Sequence, residues 1–531
     1  MTFYLSPIWL SLTGCEEAPG VATEEPSADT AAAPAEPLAD TGPQLEGVAW
    51  LARASLDLRG TRPSLDEIAA VQADPDAMAS LIDEMLEDPR FPERMAWLWN
   101  DTLHTAVWGA GYTRFEWDFQ TWKAIGWEPL AVIQLVLEDR RPFSDIVTAT
   151  QTPVQADLSA AWDLPESGTA WSWGSYDDGR PMAGILSTNA LWLRYTADAV
   201  NFNRTRANTV ATTLLCSDFL DREGGFDFDI NPADLALVES AVSTQPACLS
   251  CHATLDPLSL FFSGFAQKSD NHPQYQYVHY SEHQNLELLA ESSGAPSYYG
   301  HPGSDLSDLG AMIAADPRFY QCATERFITG LTRQDPDAES LDSLSRAFSE
   351  SGNTRALVRS IVNSQAYRAA GLRVLPPEQL YTALSDLGAW DPGTQQDEGL
   401  KALAWDPELR VLGGGTDDVT VLQRNQRPGV GNSVMMAWAA RQMAYDAINT
   451  DLSRSEPLLL TIAELNSTDE PTVRAQLAEW HTRFLSMPVE ADSPEIDALY
   501  DLWVAFDEET DLHPWPQTLA ALIRHPRMVM Y

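Results

Sequence analysis

Apolar residues recur at intervals of three and four along most of the chain beyond residue 47, the spacing of one face of an α-helix. Leu65, Ile68, Ala69 and Val71 follow a capping box, Ser64-Leu65-Asp66-Glu67, and the pattern breaks at Asp74-Pro75. Met78, Leu81, Ile82, Met85 and Leu86 form a second stripe that stops at Asp88-Pro89. The same reading predicts helices over residues 205–220, 232–242, 307–315, 320–332, 338–351, 354–364 and 377–387. One phrase is reused at their ends: Asp88-Pro89-Arg90-Phe91, Asp316-Pro317-Arg318-Phe319 and, loosely, His525-Pro526-Arg527-Met528. Proline there stops one helix and opens the next. The intervals are irregular, so this is a helix-turn-helix device and not a solenoid.

The pattern predicts a mainly α, multi-lobed helical protein with long loops. The expected divisions are a lipoprotein signal peptide (1–15), a tether (16–46), an N-terminal helical domain (47–160), a loop-rich segment (161–300) and helical domains at 301–372 and 373–531. Residues 160–182, rich in Trp, Ser, Gly and Asp, read as a covering loop. A hydrophobic content of 44% with 18 Trp supports packed cores in a chain of 531 residues. Trp97, Trp99, Trp108, Trp117, Trp122 and Trp127 could line a groove, with core packing the expected use.

Charge narrows the partners. With 33 basic and 77 acidic residues the net charge is −44, which makes nucleic acid and anionic membrane surfaces poor partners and a basic redox partner a better one. A plain solubilising surface explains the acidity equally well.

At the front, the apolar run from Phe3 to Leu12 ends in Leu12-Thr13-Gly14-Cys15, which looks like a bacterial lipobox with Cys15 lipidated. Met1 to Leu12 holds no Lys or Arg, a departure from a basic n-region that would fit a start lying upstream. The Ala/Pro/Glu/Asp/Thr stretch from Glu16 to Gln44 cannot bury a core and reads as a tether. The expectation is a lipid-anchored protein of the periplasm or cell surface, held to a membrane, most naturally the outer one, through Cys15.

The chemistry is concentrated in Cys248-Leu249-Ser250-Cys251-His252, followed by Asp256-Pro257-Leu258. Cys-x-x-Cys-His is the attachment signature of haem c: two thiols add to two vinyl groups, and the imidazole ligates the iron. Cys248, Cys251 and His252 are therefore the expected haem-binding residues of an embedded cytochrome-c-like segment, with His252 on the metal. A structural or redox disulfide and half of a zinc site are the alternatives. Cys216 and Cys322 remain, as a bridge in an oxidising compartment or as two buried thiols. The free ring nitrogen partner of His252 would be Asp256 or the Pro257 carbonyl. Met312, sixty residues beyond His252, is a candidate distal ligand that core packing explains as well. His272, His279 and His283 are further candidates, and an open sixth position would point to peroxidase-like or sensing chemistry. Gly413-Gly414-Gly415-Thr416-Asp417-Asp418 lacks the ending of a phosphate cradle, and offers either a cation site or a plain loop. No serine-hydrolase elbow, zincin helix or P-loop occurs.

Leu56-Asp57-Leu58-Arg59-Gly60-Thr61-Arg62-Pro63, the segment from Ser64 to Trp99, and Cys248-x-x-Cys251-His252-x-x-x-Asp256-Pro257-Leu258 together resemble the planctomycete-type cytochrome-like multi-domain proteins of unknown function. Arg204-Thr205-Arg206-Ala207-Asn208 with Leu214-Leu215-Cys216, and Leu309-Gly310-Ala311-Met312 through Phe319-x-x-Cys322, follow the same layout over residues 47–370. That family's motif continues Asp-Pro-Leu-Gly, where this chain has Ser259, a change that could alter a tight turn. The resemblance implies an exported bacterial protein with a haem-binding signature, an exported redox or scaffold partner, and no established reaction. The competing expectation is a non-enzymatic surface lipoprotein, scaffold or ligand-binding, whose Cys-x-x-Cys is a structural disulfide.

Overall fold

The computed structural model describes residues 43–107, 119–165, 167–197, 203–221, 235–269, 276–281, 294–388, 399–509 and 513–531. The lipobox, nearly all of the tether, Trp108, Trp117, His272 and His283 lie outside them. The longer helices are α1 (Gly47–Arg59), α2 (Leu65–Ala73), α3 (Ala77–Glu87), α4 (Phe91–Leu103), α5 (Phe119–Glu138), α6 (Arg204–Leu215), α7 (Leu235–Thr244), α8 (Pro246–Ser259), α9 (Leu306–Ala315), α10 (Pro317–Thr332), α11 (Ala338–Ser351) and α12 (Thr354–Val362). They continue with α13 (Pro377–Leu387), α14 (Val430–Leu452), α15 (Glu470–Leu485), α16 (Pro494–Glu509) and α17 (Pro514–Ile523). Shorter helical turns are named by their residues. The protein is mainly α-helical, as the periodicity predicts.

The local signals do what their chemistry requires. Ser64 Oγ accepts from the Glu67 amide at 3.2 Å, and Glu67 Oε2 accepts from the Ser64 amide at 2.7 Å, closing the capping box. The reused Asp-Pro-Arg phrase has one geometry. Asp88 accepts from the Arg90 amide at 2.9 Å and is gripped by the same residue's guanidinium; Asp316 does the same with Arg318, also at 2.9 Å. His525 Nδ1 takes the Arg527 amide at 3.2 Å. In each case a side chain satisfies an orphan amide two residues on, while proline opens the turn.

Two hydrophobic clusters form. The first runs from Leu51 to Tyr367 and adds Trp405, so the segments 47–160, 161–300 and 301–372 all contribute to it. Phe143, packed against Trp99, Phe319, Phe327 and Phe348, lies in it, and each such fully buried ring contributes roughly 1.5–3 kcal/mol. The second takes Leu56 from α1 and then residues from Leu375 to Tyr531. Helix α1 belongs to both, and polar bonds reinforce the join: the Arg53 guanidinium donates to the carbonyls of Tyr367, Ala369 and Gly371. Buried Asp57 accepts from Tyr367 Oη, Tyr531 Oη and Arg373.

Segment 161–300 contains the two helices expected near 205–220 and 232–242, and a third that carries the Cys-x-x-Cys-His motif. These are α6, α7 and α8; short strands in and beside the segment pair as β1 (Thr152–Val154) with β2 (Ser172–Gly174), β3 (Phe265–Ser269) with β4 (Gln276–Tyr280), and β5 (Ser297–Tyr298) with β6 (His301–Pro302). All are antiparallel. Strands of two to five residues carry too few positions for an alternation to register.

Candidate functional site

The expected helix over 232–242 is α7, which ends at Thr244; the motif does not trail from it as a loop. Gln245 is extended, Pro246 takes the first position of a new helix, and α8 carries the motif through Ser259. Proline at a helix start loses nothing, because that N–H would be unpaired in any case. Cys248, Cys251 and His252 are spaced i, i+3, i+4, so a helix puts both thiols and the imidazole on one face. Both cysteines are partly buried and bonded to no other residue as a disulfide. The Cys251 thiol points to the Phe219 carbonyl at 3.5 Å, and Cys251 with Leu255 packs against the first core.

One turn further on, Asp256 sits 2.9 Å from His252 Nδ1. Its oxygens also receive Arg204 from α6, Nε at 2.6 Å and Nη2 at 3.0 Å, a two-point guanidinium–carboxylate pair. Burial alone would raise the Asp256 pKa, but the His252 bond and the Arg204 bonds and charge outweigh it and hold it below the usual carboxylate value. An ionised carboxylate only accepts, so Nδ1 carries the proton of this bond, and Nε2 is the ring nitrogen outside it. Of the two acceptors considered for His252, the aspartate is the one used. Arg204 was missed as its clamp; 52 positions separate it from Asp256, and no spacing rule links them.

Ser259, where the resembled family has glycine, is accommodated without strain. Its φ is −63°, a value any residue adopts, and its Oγ donates to the Asp256 carbonyl at 2.7 Å. Cys216 and Cys322 form a disulfide across 5.3 Å between Cα atoms. Cys216 ends α6 in the left-handed region, φ 47°, which is why the helix stops at Leu215 and not at residue 220. The bridge fixes to α10 the helix whose other end supplies Arg204.

Met312 lies on α9, half-buried, with its Cε and the Phe261 ring both closing on Gly303. Phe261 is nine residues past His252, roughly 13 Å of helical rise. Met312 packs beside Phe261, just past the C-terminal end of α8. The backbone of His279 pairs with Ala266, and its side chain is outside the description.

The Gly413–Asp418 stretch is a structural turn. Asp417 accepts the amides of Val419, Thr420 and Val421, and Asp418 is fully buried, accepting from Asn100 Nδ2, the Val107 amide and Thr416 Oγ1. These donors use the oxygens a cation would need. Among the described residues no group of three or more His, Cys, Asp or Glu side chains is placed to hold a metal ion, so nothing completes a zinc set around Cys248 and Cys251. No described helix is long and apolar enough to cross a membrane.

No curated protein and no solved structure matches the chain. Residues 36–170 match a family described as PSCyt2, protein of unknown function (DUF1549), which supports the cytochrome-like resemblance at a coarse level over a stretch that ends before α8.

Proposed function

We propose that the protein is exported and lipid-anchored, that Cys248 and Cys251 would hold one haem c covalently and His252 would bind its iron, and that the protein serves electron transfer or haem-based redox chemistry outside the cytoplasm. The observation that carries this reading is the face of α8: two unpaired thiols and an imidazole whose Nδ1 is already committed to Asp256. Those residues fit the group. The two sulfurs have the spacing for two vinyl additions, and the remaining imidazole nitrogen is the one suited to iron.

When bound, the haem supplies a one-electron couple whose potential its ligands and burial set. The chain's own contribution is positional. Asp256 holds the Nδ1 proton and the ring orientation, and Arg204 holds Asp256. The Cys216–Cys322 bridge favours an oxidising compartment, in keeping with export and with Cys15 as the lipidated residue. A net charge of −44 favours a basic redox or scaffold partner over nucleic acid.

The test is expression of the full chain with haem-maturation enzymes, then a reduced pyridine-haemochrome spectrum and an intact mass. One covalent haem, lost in Cys251→Ala, is expected. A colourless protein whose mass shows a second disulfide overturns the reading in favour of a surface lipoprotein with a structural Cys248–Cys251 bridge.

A further inference from the structure

A cleft that shares no residue with α8 has its own chemistry. Trp127, Trp171 and Trp405 wall a surface cavity of about 250 Å³. The first and last are fixed from behind: Trp97 lies 4.6 Å from Trp127 and 5.0 Å from Trp405, centroid to centroid, and Trp127 Nε1 donates to Gln134 at 3.0 Å. Trp171 is only partly buried and packs against the first core.

Apart from Ala124 the rest of the wall is polar. Glu93 comes from α4, Gln120 and Lys123 from α5, and Gln155 and Asp157 from the start of the short helix Ala156–Trp162. Gln155 accepts the Asp157 amide through its side-chain oxygen at 3.0 Å, so its own amide N–H groups are not used in that bond. Glu93 and Lys123 face the cleft with opposite charges, and an ionised carboxylate there accepts hydrogen bonds.

Three ligand classes fit badly. Two carboxylates against one lysine, in a chain of net charge −44, disfavour phosphate or sulfate. A ligand ammonium would meet Lys123, whose Nζ already lies 4.2 Å from the Trp405 ring centroid. An apolar ligand would strand amides and carboxylates without partners. A neutral polyhydroxylated ring satisfies both kinds of wall, its C–H face on indole and its hydroxyls on amide and carboxylate groups. The volume, just under the ~300–1,000 Å³ of ordinary small-molecule pockets, suits roughly one or two such rings.

We propose that this cleft is a binding site for a neutral sugar, with Trp171 as the stacking platform and Gln120, Gln155 and Asp157 as the hydroxyl-binding groups. The full chain is titrated with cello-, xylo-, manno-, malto- and chito-oligosaccharides, and with a sulfated oligosaccharide, by calorimetry and tryptophan fluorescence. At least one neutral sugar is expected to bind with Kd below about 1 mM. Trp171→Ala should weaken it by about tenfold or more, and Gln120→Ala, an exposed position where folding is not at risk, by about fivefold. Absence of binding across the neutral panel, tighter binding of the sulfated sugar, or binding that both variants leave intact would each overturn the proposal.

Discussion

His252 Nδ1 and the Asp256 carboxylate lie 2.9 Å apart on consecutive turns of α8, and the far side of that carboxylate is closed by Arg204. The three side chains form a relay from α6 to the imidazole, with the proton placed on Nδ1. In metal-ligating histidines the same arrangement, one ring nitrogen bonded to a carboxylate, orients the ring and makes the other nitrogen a better donor.

Asp256→Asn keeps the size of the side chain and removes its charge. In haem-loaded protein the imidazole then becomes a poorer electron donor, and the midpoint potential should rise by roughly 30–60 mV, half to one decade of differential stabilisation for one electron. Arg204→Met should move it in the opposite direction, because Asp256 is freed to pull harder on the Nδ1 proton. A redox titration checks both; equal potentials in all three proteins would separate Asp256 from the iron ligand.

Joining residues 106 positions apart, the Cys216–Cys322 bridge should stabilise the fold by about 2–5 kcal/mol. Thermal melts with and without reductant, in a Cys15→Ala/Cys248→Ala/Cys251→Ala background so that no other thiol exchanges, should show the loss. The double variant Cys216→Ala/Cys322→Ala should melt at the reduced protein's temperature. Unchanged melting on reduction would mean that packing of α6 on α10 holds without the bridge.

The apolar stripes and the Asp-Pro-Arg phrase were legible because their causes are local: a side chain two or three residues away caps an amide. Helix α8 was not, for the converse reason. Its residues show little apolar periodicity, and Pro257 reads as a stop although it falls only two positions before the helix ends. The choice of Asp256 as the His252 partner could be narrowed from the i+4 spacing, but Arg204 could not, because tertiary packing of α6 on α8 brings it in. The tryptophans of α4 and α5 were visible as a group, whereas Trp405, which completes their cluster, lies far along the chain. Cys216 and Cys322 emerged by elimination among five cysteines, with free thiols as the alternative until their Cα atoms were seen 5.3 Å apart.

Tyr531→Phe tests the join between α1 and the last residues. Tyr531 Oη donates to Asp57 Oδ1 at 2.6 Å, while Tyr367 and Arg373 serve Oδ2. Removing one hydroxyl leaves a buried carboxylate oxygen short of a donor, and should cost about 1–3 kcal/mol in chemical denaturation. A loss below about 0.5 kcal/mol would show that Asp57 does not depend on that bond.

Asp418 and Glu378 make the fold acid-sensitive in a defined window. Burial alone would raise both pKa values. For Asp418 it is outweighed by His104 at 3.7 Å, the Arg410 charge and the Val107 amide, and for Glu378 by the charges of Arg424, Arg410 and Arg94; each is held at about 2. A carboxylate depressed in the folded state contributes stability that is complete above its unfolded pKa, near 4, and is lost as pH falls through its folded value. Unfolding free energy should therefore be flat from neutral pH to about pH 5 and fall by about 2 kcal/mol or more for each group between pH 4.5 and pH 2. Asp418→Asn should be less stable at pH 7 by about 3 kcal/mol, because its amide would face the Asn100 and Val107 donors. It should also show a shallower loss in acid, with Glu378 still titrating. Denaturation curves at pH 7, 4, 3 and 2.5 decide it: a variant with the wild-type acid slope would mean that Asp418 is not one of the groups whose protonation opens the join between the two cores.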